Sequence, residues 1–172
     1  MITIRSAVST DADSLWDAER RTAMTPGLLA ARPGEIPVDV FKAKIGELAG
    51  RGRYVVAELD GAPVGHAFLE PLGALAAISH VFQLTIVVHP GYLGRGIGTT
   101  LLKDLLAWAQ RDPRAKKVEL RVRATNERAI ALYRKFGFLD EGCFRNRVAL
   151  EDGTFLDDLA MAWFPTEGDG AG

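Results

Sequence analysis

Leu84-Thr85-Ile86-Val87-Val88-His89-Pro90-Gly91-Tyr92-Leu93-Gly94-Arg95-Gly96-Ile97-Gly98-Thr99-Thr100-Leu101-Leu102 changes character three times. Thr85, Ile86, Val87 and Val88 are stiff about χ1 and suit a strand. Pro90 has no N–H to give a ladder, so the strand ends before it. Leu101, Leu102, Leu105 and Ala109 recur at helical spacing, while Lys103, Asp104 and Gln110 fall off that stripe. Between strand and helix lie three alternate glycines, Gly94, Gly96 and Gly98.

The first amides of a helix have no partner inside it, and the aligned peptide dipoles add about half a positive charge there. Without Cβ atoms in the way, a polyanion can approach those amides closely. Gly94 to Thr99 therefore reads as a phosphate or pyrophosphate cradle, or else as a tight strand-to-helix turn that binds nothing. Two familiar phosphate loops are excluded on residues. No Gly-Lys follows the glycines, as a P-loop requires, and Leu101 stands where a dinucleotide fingerprint needs its third glycine.

A third pattern fits. Val88 to Gly98 followed by Leu101-Leu102 resembles the acetyl-CoA loop of the GNAT acetyltransferases. About 28 residues later, Asn126-Glu127-Arg128-Ala129-Ile130-Ala131-Leu132-Tyr133-Arg134-Lys135-Phe136-Gly137-Phe138 is similar to that family's second signature. The resemblance spans roughly Ile2 to Trp163, with its specificity in 84–138. It departs at Leu93, where the family usually carries Arg or Gln. The resemblance implies acetyl-CoA as co-substrate, no metal, and cofactor contacts at Ile86, Val87, Val88, Leu93, Gly94, Arg95, Gly96, Ile97, Gly98, Thr99 and Asn126. It makes Tyr133 the general acid. On periodicity alone Tyr133 is a core tyrosine of an amphipathic helix.

The 172 residues suffice for one domain and are too few for two ordinary ones. The reading is a single domain over 1–164 and a polar, glycine-rich tail over 165–172 that frays. Hydrophobic content of 48% allows a core, and no apolar run approaches the roughly 20 residues of a membrane span. Met1-Ile2-Thr3-Ile4-Arg5 lacks the basic start and apolar core of a secretory signal, so a cytoplasmic location is expected. A net charge of −1 gives no general pull toward nucleic acid. Cys143 is the one cysteine, which excludes an intramolecular disulfide; it is expected to be a small, at least half-buried hydrophobe.

Along the chain, Ile2 and Ile4 alternate with polar residues in a first strand. Ser9-Thr10-Asp11 offers caps for a helix carrying Leu15, Trp16 and Ala18. Thr22 to Pro37, broken at Thr25-Pro26-Gly27 and Arg32-Pro33-Gly34, is mostly irregular. A second helix is expected over 38–49 with Val40, Phe41, Ile45 and Leu48 inward. Strands follow at 53–59 and 62–71 around Asp60-Gly61, a hairpin signal. A small-residue connection runs from Gly73 to Ser79, and the central strand over 81–88. Val118, Leu120 and Val122 alternate with Glu119, Arg121 and Arg123 in a half-buried strand. Asn126 reads as an N-cap and Gly137 as the left-handed stop of the helix between them. Strands over 143–150 and 155–163 form a last hairpin. The order β-α-α-β-β-β-α-β-α-β-β implies an α/β fold with helices on both faces of a mixed sheet. By resemblance it is the GNAT fold, a mostly antiparallel sheet of about seven strands with about four helices. In that fold the strand ending at Val88 and the strand over 117–123 splay apart, and the pantetheine arm pairs between them.

The implied reaction moves an acetyl group from a thioester to a primary amine by direct attack in a ternary complex. The base is the gap in the reading. Many relatives carry Glu or Asp where this chain has Gln83, and an amide cannot take a proton at neutral pH. His80, His66 and Glu70 are the other candidates; His89 is expected at the surface near the cofactor. At pH 7.5 an α-amine of pKa about 7.8 is about one third neutral, whereas a lysine near 10.4 is about one thousandth neutral. A poor base therefore suits a small α-amine such as an amino acid. Glu141-Gly142, Asp152-Gly153 and Asp157-Asp158 ahead of Met161 resemble the branch that acetylates amino acids and phosphinothricin-like compounds. Asp157, Asp158, Arg145 and Arg147 are candidate acceptor contacts or ordinary strand-face residues. Protein N-termini, lysines or antibiotic amines as acceptors, and a non-catalytic acyl-CoA-binding module, stay open as readings. The family often dimerises, and a homodimer is implied by analogy only.

Overall fold

The computed structural model describes residues 1–166. Seven strands form one sheet in the order β1-β2-β3-β4-β5-β7-β6, antiparallel except where β4 meets β5. The strands are β1 (Ile2–Ser6), β2 (Arg53–Leu59), β3 (Ala62–Pro71), β4 (Val81–Val88), β5 (Lys117–Arg123), β6 (Leu139–Ala149) and β7 (Phe155–Trp163). The helices are α1 (Ala12–Ala23), α2 (Val38–Leu48), α3 (Ile97–Arg111) and α4 (Glu127–Lys135). This is the mixed sheet and element order expected from the sequence.

Side chains alternate along a strand, so one sheet feeds two cores. Val55 and Ala57 of β2 join Leu101, Leu102, Leu105 and Ile130 on the α3–α4 face. Tyr54 and Val56 join Leu15, Phe41, Ile45 and Leu48 on the α1–α2 face. Val40 is an exception to the expected stripe, at 46% exposure. It lies one residue, about 100° of rotation, from Phe41, and the buried positions Phe41, Ile45 and Leu48 already define the inward face.

Local turns behave as their residues require. Asp60 (φ 52°) and Gly61 (φ 80°) both take left-handed conformations in the β2–β3 hairpin. The connection after β3 contains a short 3₁₀ turn, Ala76–Ile78. The last hairpin differs from its expected bounds. β6 begins at Leu139, and bulges interrupt its register between Asp140 and Gly142 and between Phe144 and Val148. Because β6 pairs on one side only, no layer covers it, and Cys143 is exposed, contrary to the buried setting expected for it. The expected tail falls outside the described residues from 167 onward. Thr166 is tied to α3, its carbonyl accepting from Gln110 Nε2 at 2.7 Å and its amide donating to Oε1 at 3.2 Å.

Two features position the site. First, β4 and β5 pair only at Val81–Lys117, Phe82–Val118 and Gln83–Glu119. Beyond that point β4 continues along β3 to Val88, and β5 continues along β7 to Arg123. The two strands part, and Leu84 to Val88 face the gap without a partner on that side. Second, α3 packs closely on β3. A Cβ on Gly65 would stand 2.9 Å from Ile97 Cγ2 and 3.1 Å from the Val87 carbonyl oxygen. That approach brings the first turn of α3 to the end of β4.

Candidate active site

The parted strands open into a cleft of about 580 Å³. Its floor is β4 from Gln83 to Val88, one wall is α4 with Asn126, Ala129, Leu132 and Tyr133, and one end is the glycine loop. Gly94 (φ 86°) and Gly96 (φ 80°) hold left-handed conformations that L side chains seldom adopt. Gly96 caps α3, so the first-turn amides of Gly98 and Thr99 have no carbonyl inside the helix to bind. The cleft is therefore electropositive at this end through main chain alone.

Of the residues picked from sequence, Ile86, Val87, Val88, Leu93, Gly94, Gly96, Ile97, Gly98, Thr99, Asn126 and Tyr133 line the cleft. Arg95 does not; its guanidinium stands over the Tyr92 ring at 5.3 Å. Asn126 caps α4, its Oδ1 accepting from the Ala129 amide at 3.2 Å, and Gly137 (φ 89°) ends the helix as expected. Tyr133 packs on Phe138 at 5.5 Å between ring centroids. Burial pushes its phenol up to about 12, so it keeps its proton throughout the neutral range. Thr22, which lies in the last turn of α1 and not in the irregular segment expected from Thr22 onward, and Leu28 to Ala30 also reach the cleft.

Other candidates fall elsewhere. Glu70 is held by Lys44 at 2.7 Å and His80 is exposed at the start of β4; neither lines the cleft. Asp157, Asp158, Arg145 and Arg147 do not line it either. Asp157 accepts from the Asn146 amide at 2.7 Å, and buried Asp158 is paired with Arg123. His89 is buried at 3% exposure rather than at the surface, because its ring turns inward behind β3 and Nδ1 donates to the Pro63 carbonyl at 3.1 Å.

The sequence reading missed Arg128 and Glu19. Arg128 lies two residues after Asn126 in the second signature, and its guanidinium comes within 3.2 Å of where a Gly94 Cβ would be. That puts a cation over the glycine loop. Glu19 lies on the same face of α1 as buried Leu15 and Thr22, and an acid on an inward stripe was the available signal.

The inward His89 has a consequence for stability. Burial, with His66 and Arg21 nearby, pushes its imidazole down to about 4. The unfolded chain would bind this proton at about 6.5. A depressed folded value gives stability that is present above about pH 6.5 and lost as pH falls toward 4, about 3 kcal/mol in all. Urea midpoints measured across that window should fall steeply in the native protein and less steeply in His89→Gln; equal slopes would remove His89 as the cause.

A wedge between two parallel strands offers an extended, amide-bearing arm the place of a third strand. Coenzyme A is an acyl carrier with such an arm hung from a pyrophosphate, and the wedge ends at a cradle suited to that anion. Fold and cleft together suit a protein that binds an acyl-coenzyme A. The chain belongs to the Acetyltransferase (GNAT) family, whose profile it matches over residues 15–138. It is 42% identical over 100 residues to N-alpha-acetyltransferase RimI of Mycobacterium tuberculosis, covering 58% of this chain and 60% of that one. The match thus spans three fifths of that relative's length. To L-amino acid N-acetyltransferase AaaT of Escherichia coli it is 31% identical over 110 residues, covering 64% and 67% of the two chains. A phosphinothricin acetyltransferase (Pat) of Sinorhizobium meliloti, solved in complex with acetyl-CoA, superposes with a TM-score of 0.88 at 23% identity, covering 99% and 92%; this likeness is one of fold. Among the described residues no helix is long and apolar enough to cross a membrane, and no three His, Cys, Asp or Glu side chains are grouped to hold a metal.

Proposed function

We propose that this protein acetylates the α-amine of a small acceptor, an amino acid in the first instance, with acetyl-CoA as donor and direct attack within a ternary complex. The parting of β4 from β5 carries the reading: it makes a slot that holds a thioester arm between main-chain edges, beside a pocket reached by Thr22 and Leu28 to Ala30. Holding both reactants supplies effective concentration, which can lower the barrier to a bimolecular step by several kcal/mol. The amides of Gly94 to Thr99, with Arg128 above them, grip the pyrophosphate. Main-chain N–H groups of Ile86 to Val88 meet the thioester oxygen as charge builds on it. Tyr133 donates its phenolic hydrogen to the departing sulfur. Its raised pKa makes full transfer to a thiolate of pKa about 8.5 uphill, so the hydroxyl acts chiefly as a hydrogen-bond donor in the transition state.

An amino acid also carries a carboxylate. Arg121 lines the cleft with its guanidinium over Phe144 at 5.1 Å, and it is the acceptor-side cation that this reading assigns to that group. Arg123 is already committed to Asp158. The likeness to RimI, named for N-alpha-acetylation, supports a second reading in which the α-amine is a protein N-terminus. Of the two acceptors, the peptide N-terminus has the lower amine pKa, about 7.8, and is the more readily deprotonated.

Thiol release from acetyl-CoA, measured against amino acids, peptides with free N-termini, polyamines, aminoglycosides and N-terminally blocked lysine peptides, tests the proposal. Turnover is expected on the first two classes. Turnover confined to lysine peptides or polyamines would overturn it.

A further inference from the structure

Behind the acceptor side of the cleft lies a line of three titratable side chains that the proposed function does not use. Glu19 of α1 lines the cleft, and its side chain is 19% exposed. His66 of β3, fully buried, has Nε2 at 3.4 Å from Glu19 Oε2 and Nδ1 at 3.1 Å from Nε2 of His89. His89 has its own Nδ1 at 3.1 Å from the Pro63 carbonyl. Among the described residues lining the cleft, Glu19 is the one carboxylate.

The far end of this line dictates its protons. A carbonyl only accepts, so His89 Nδ1 carries a hydrogen. His89 is neutral at neutral pH, so its Nε2 is bare and must accept from His66 Nδ1–H. A neutral His66 then has no hydrogen on Nε2. That lone pair faces the Glu19 carboxylate, and Nε2 is a buried nitrogen without a hydrogen-bond partner among the described residues. Two acceptors facing each other at this distance create a place for one proton.

We infer that Glu19 receives the proton of the acceptor ammonium, and that His66, oriented by His89 against the Pro63 carbonyl, takes it up from behind. Glu19 is then the base that Gln83 cannot be, and His66 and His89 are positioning residues. The inference rests on the amine acetylation proposed above. An N–H bond of the ammonium breaks, its proton goes to Glu19 and on to His66 Nε2, and the freed lone pair attacks the thioester carbon. The C–S bond breaks with the Tyr133 hydroxyl donating a hydrogen bond to sulfur, and the departing thiolate takes up, through solvent, the second proton lost by nitrogen. The proton on Glu19–His66 leaves through the exposed edge of Glu19, so one proton is released per turnover.

The surroundings favour a single mobile proton here. Tyr54 of β2, its hydroxyl buried without a partner, is held protonated by burial and by the charges of Glu19 and Asp11. Asp11 is bound by Arg5 at 2.7 Å. From α1, Arg21 acts on His89, and Arg20 points away over Trp16 at 5.4 Å. The remaining rings against His66, Phe41 and Tyr54, have centroids at 6.4 and 6.0 Å and offer it no charge.

Two measurements on the intact protein decide the point. In the first, kcat/KM for an L-amino acid or peptide N-terminus is followed from pH 5.5 to 9. Glu19→Gln is expected to lose about a hundredfold near pH 7 and to move the acidic limb, with calorimetric affinity for coenzyme A unchanged within about twofold. Glu19→Asp should recover part of the loss. Wild-type kcat/KM and an unmoved limb in Glu19→Gln would overturn the inference. In the second, ¹⁵N NMR of the histidine rings needs no acceptor. His89 and neutral His66 should both be Nδ1–H tautomers, leaving Nε2 of His66 bare toward Glu19; a hydrogen on Nε2 of neutral His66 would overturn the inference. Should the native enzyme acetylate none of these amines while still binding coenzyme A, the α-amine proposal would fall, and the ring tautomers alone would judge the Glu19–His66 pair.

Discussion

Tyr133→Phe should lower turnover ten- to a hundredfold and leave acetyl-CoA affinity within about twofold. The substitution removes one hydroxyl from a ring whose apolar face is already packed on Phe138, so the helix and the cleft wall should keep their shape. What disappears, on the function proposed, is the donor to the sulfur as the C–S bond breaks, an interaction made only in the transition state. Such a loss lowers kcat and kcat/KM together. A second sign follows from the raised phenol pKa of about 12: no alkaline fall in rate below pH 10 should come from this residue. Steady-state kinetics with calorimetry on the same variant checks both parts, and unchanged turnover would take Tyr133 out of the chemistry.

Gly94→Val should weaken coenzyme A binding by at least tenfold. Gly94 sits at φ 86°, where an L residue costs about 1–2 kcal/mol. Its Cβ would press on the Arg128 guanidinium at 3.2 Å, and the branched side chain would stand over the amides proposed to meet the pyrophosphate. The loop either shifts or stays with its donors covered; both outcomes cost the anion its site. Gly94→Ala should fall between the native protein and the valine variant. Isothermal calorimetry with coenzyme A is the readout, and native affinity in Gly94→Val would mean that the loop does not hold the phosphates.

The legible part of this molecule is local. The β-branched run Thr85 to Val88, the turn at Pro90, the three alternate glycines and the stripe Leu101, Leu102, Leu105 and Ala109 each declare a backbone state through neighbours in sequence. Asn126 and Gly137 bracket α4 because capping is a property of one side chain and the adjacent amides. Eleven of the twelve residues named for the site therefore reach the cleft, and the exception, Arg95, fails because a side chain on an exposed loop picks its own partner, here Tyr92.

What stays hidden depends on contacts across the fold. His89 reads as a surface turn residue, yet its ring is committed to Pro63, 26 positions away, and to His66, 23 positions away. Glu19 is an unremarked acid in a charged helix until α1 is laid against β3. Cys143 departs from expectation because exposure on β6 follows from its place at the sheet edge, which the residue's own apolarity does not report.

The sequence by itself determined the order of elements, the glycine cradle and the helix that carries Tyr133, since each is written in residues close together along the chain. Only the tertiary structure decided where β4 leaves β5, which arginines overlook the cleft, and that a carboxylate and two buried histidines stand in one line. Those are juxtapositions between segments remote in sequence, set by the packing of α1 and α3 on opposite faces of the sheet, and no local pattern encodes them.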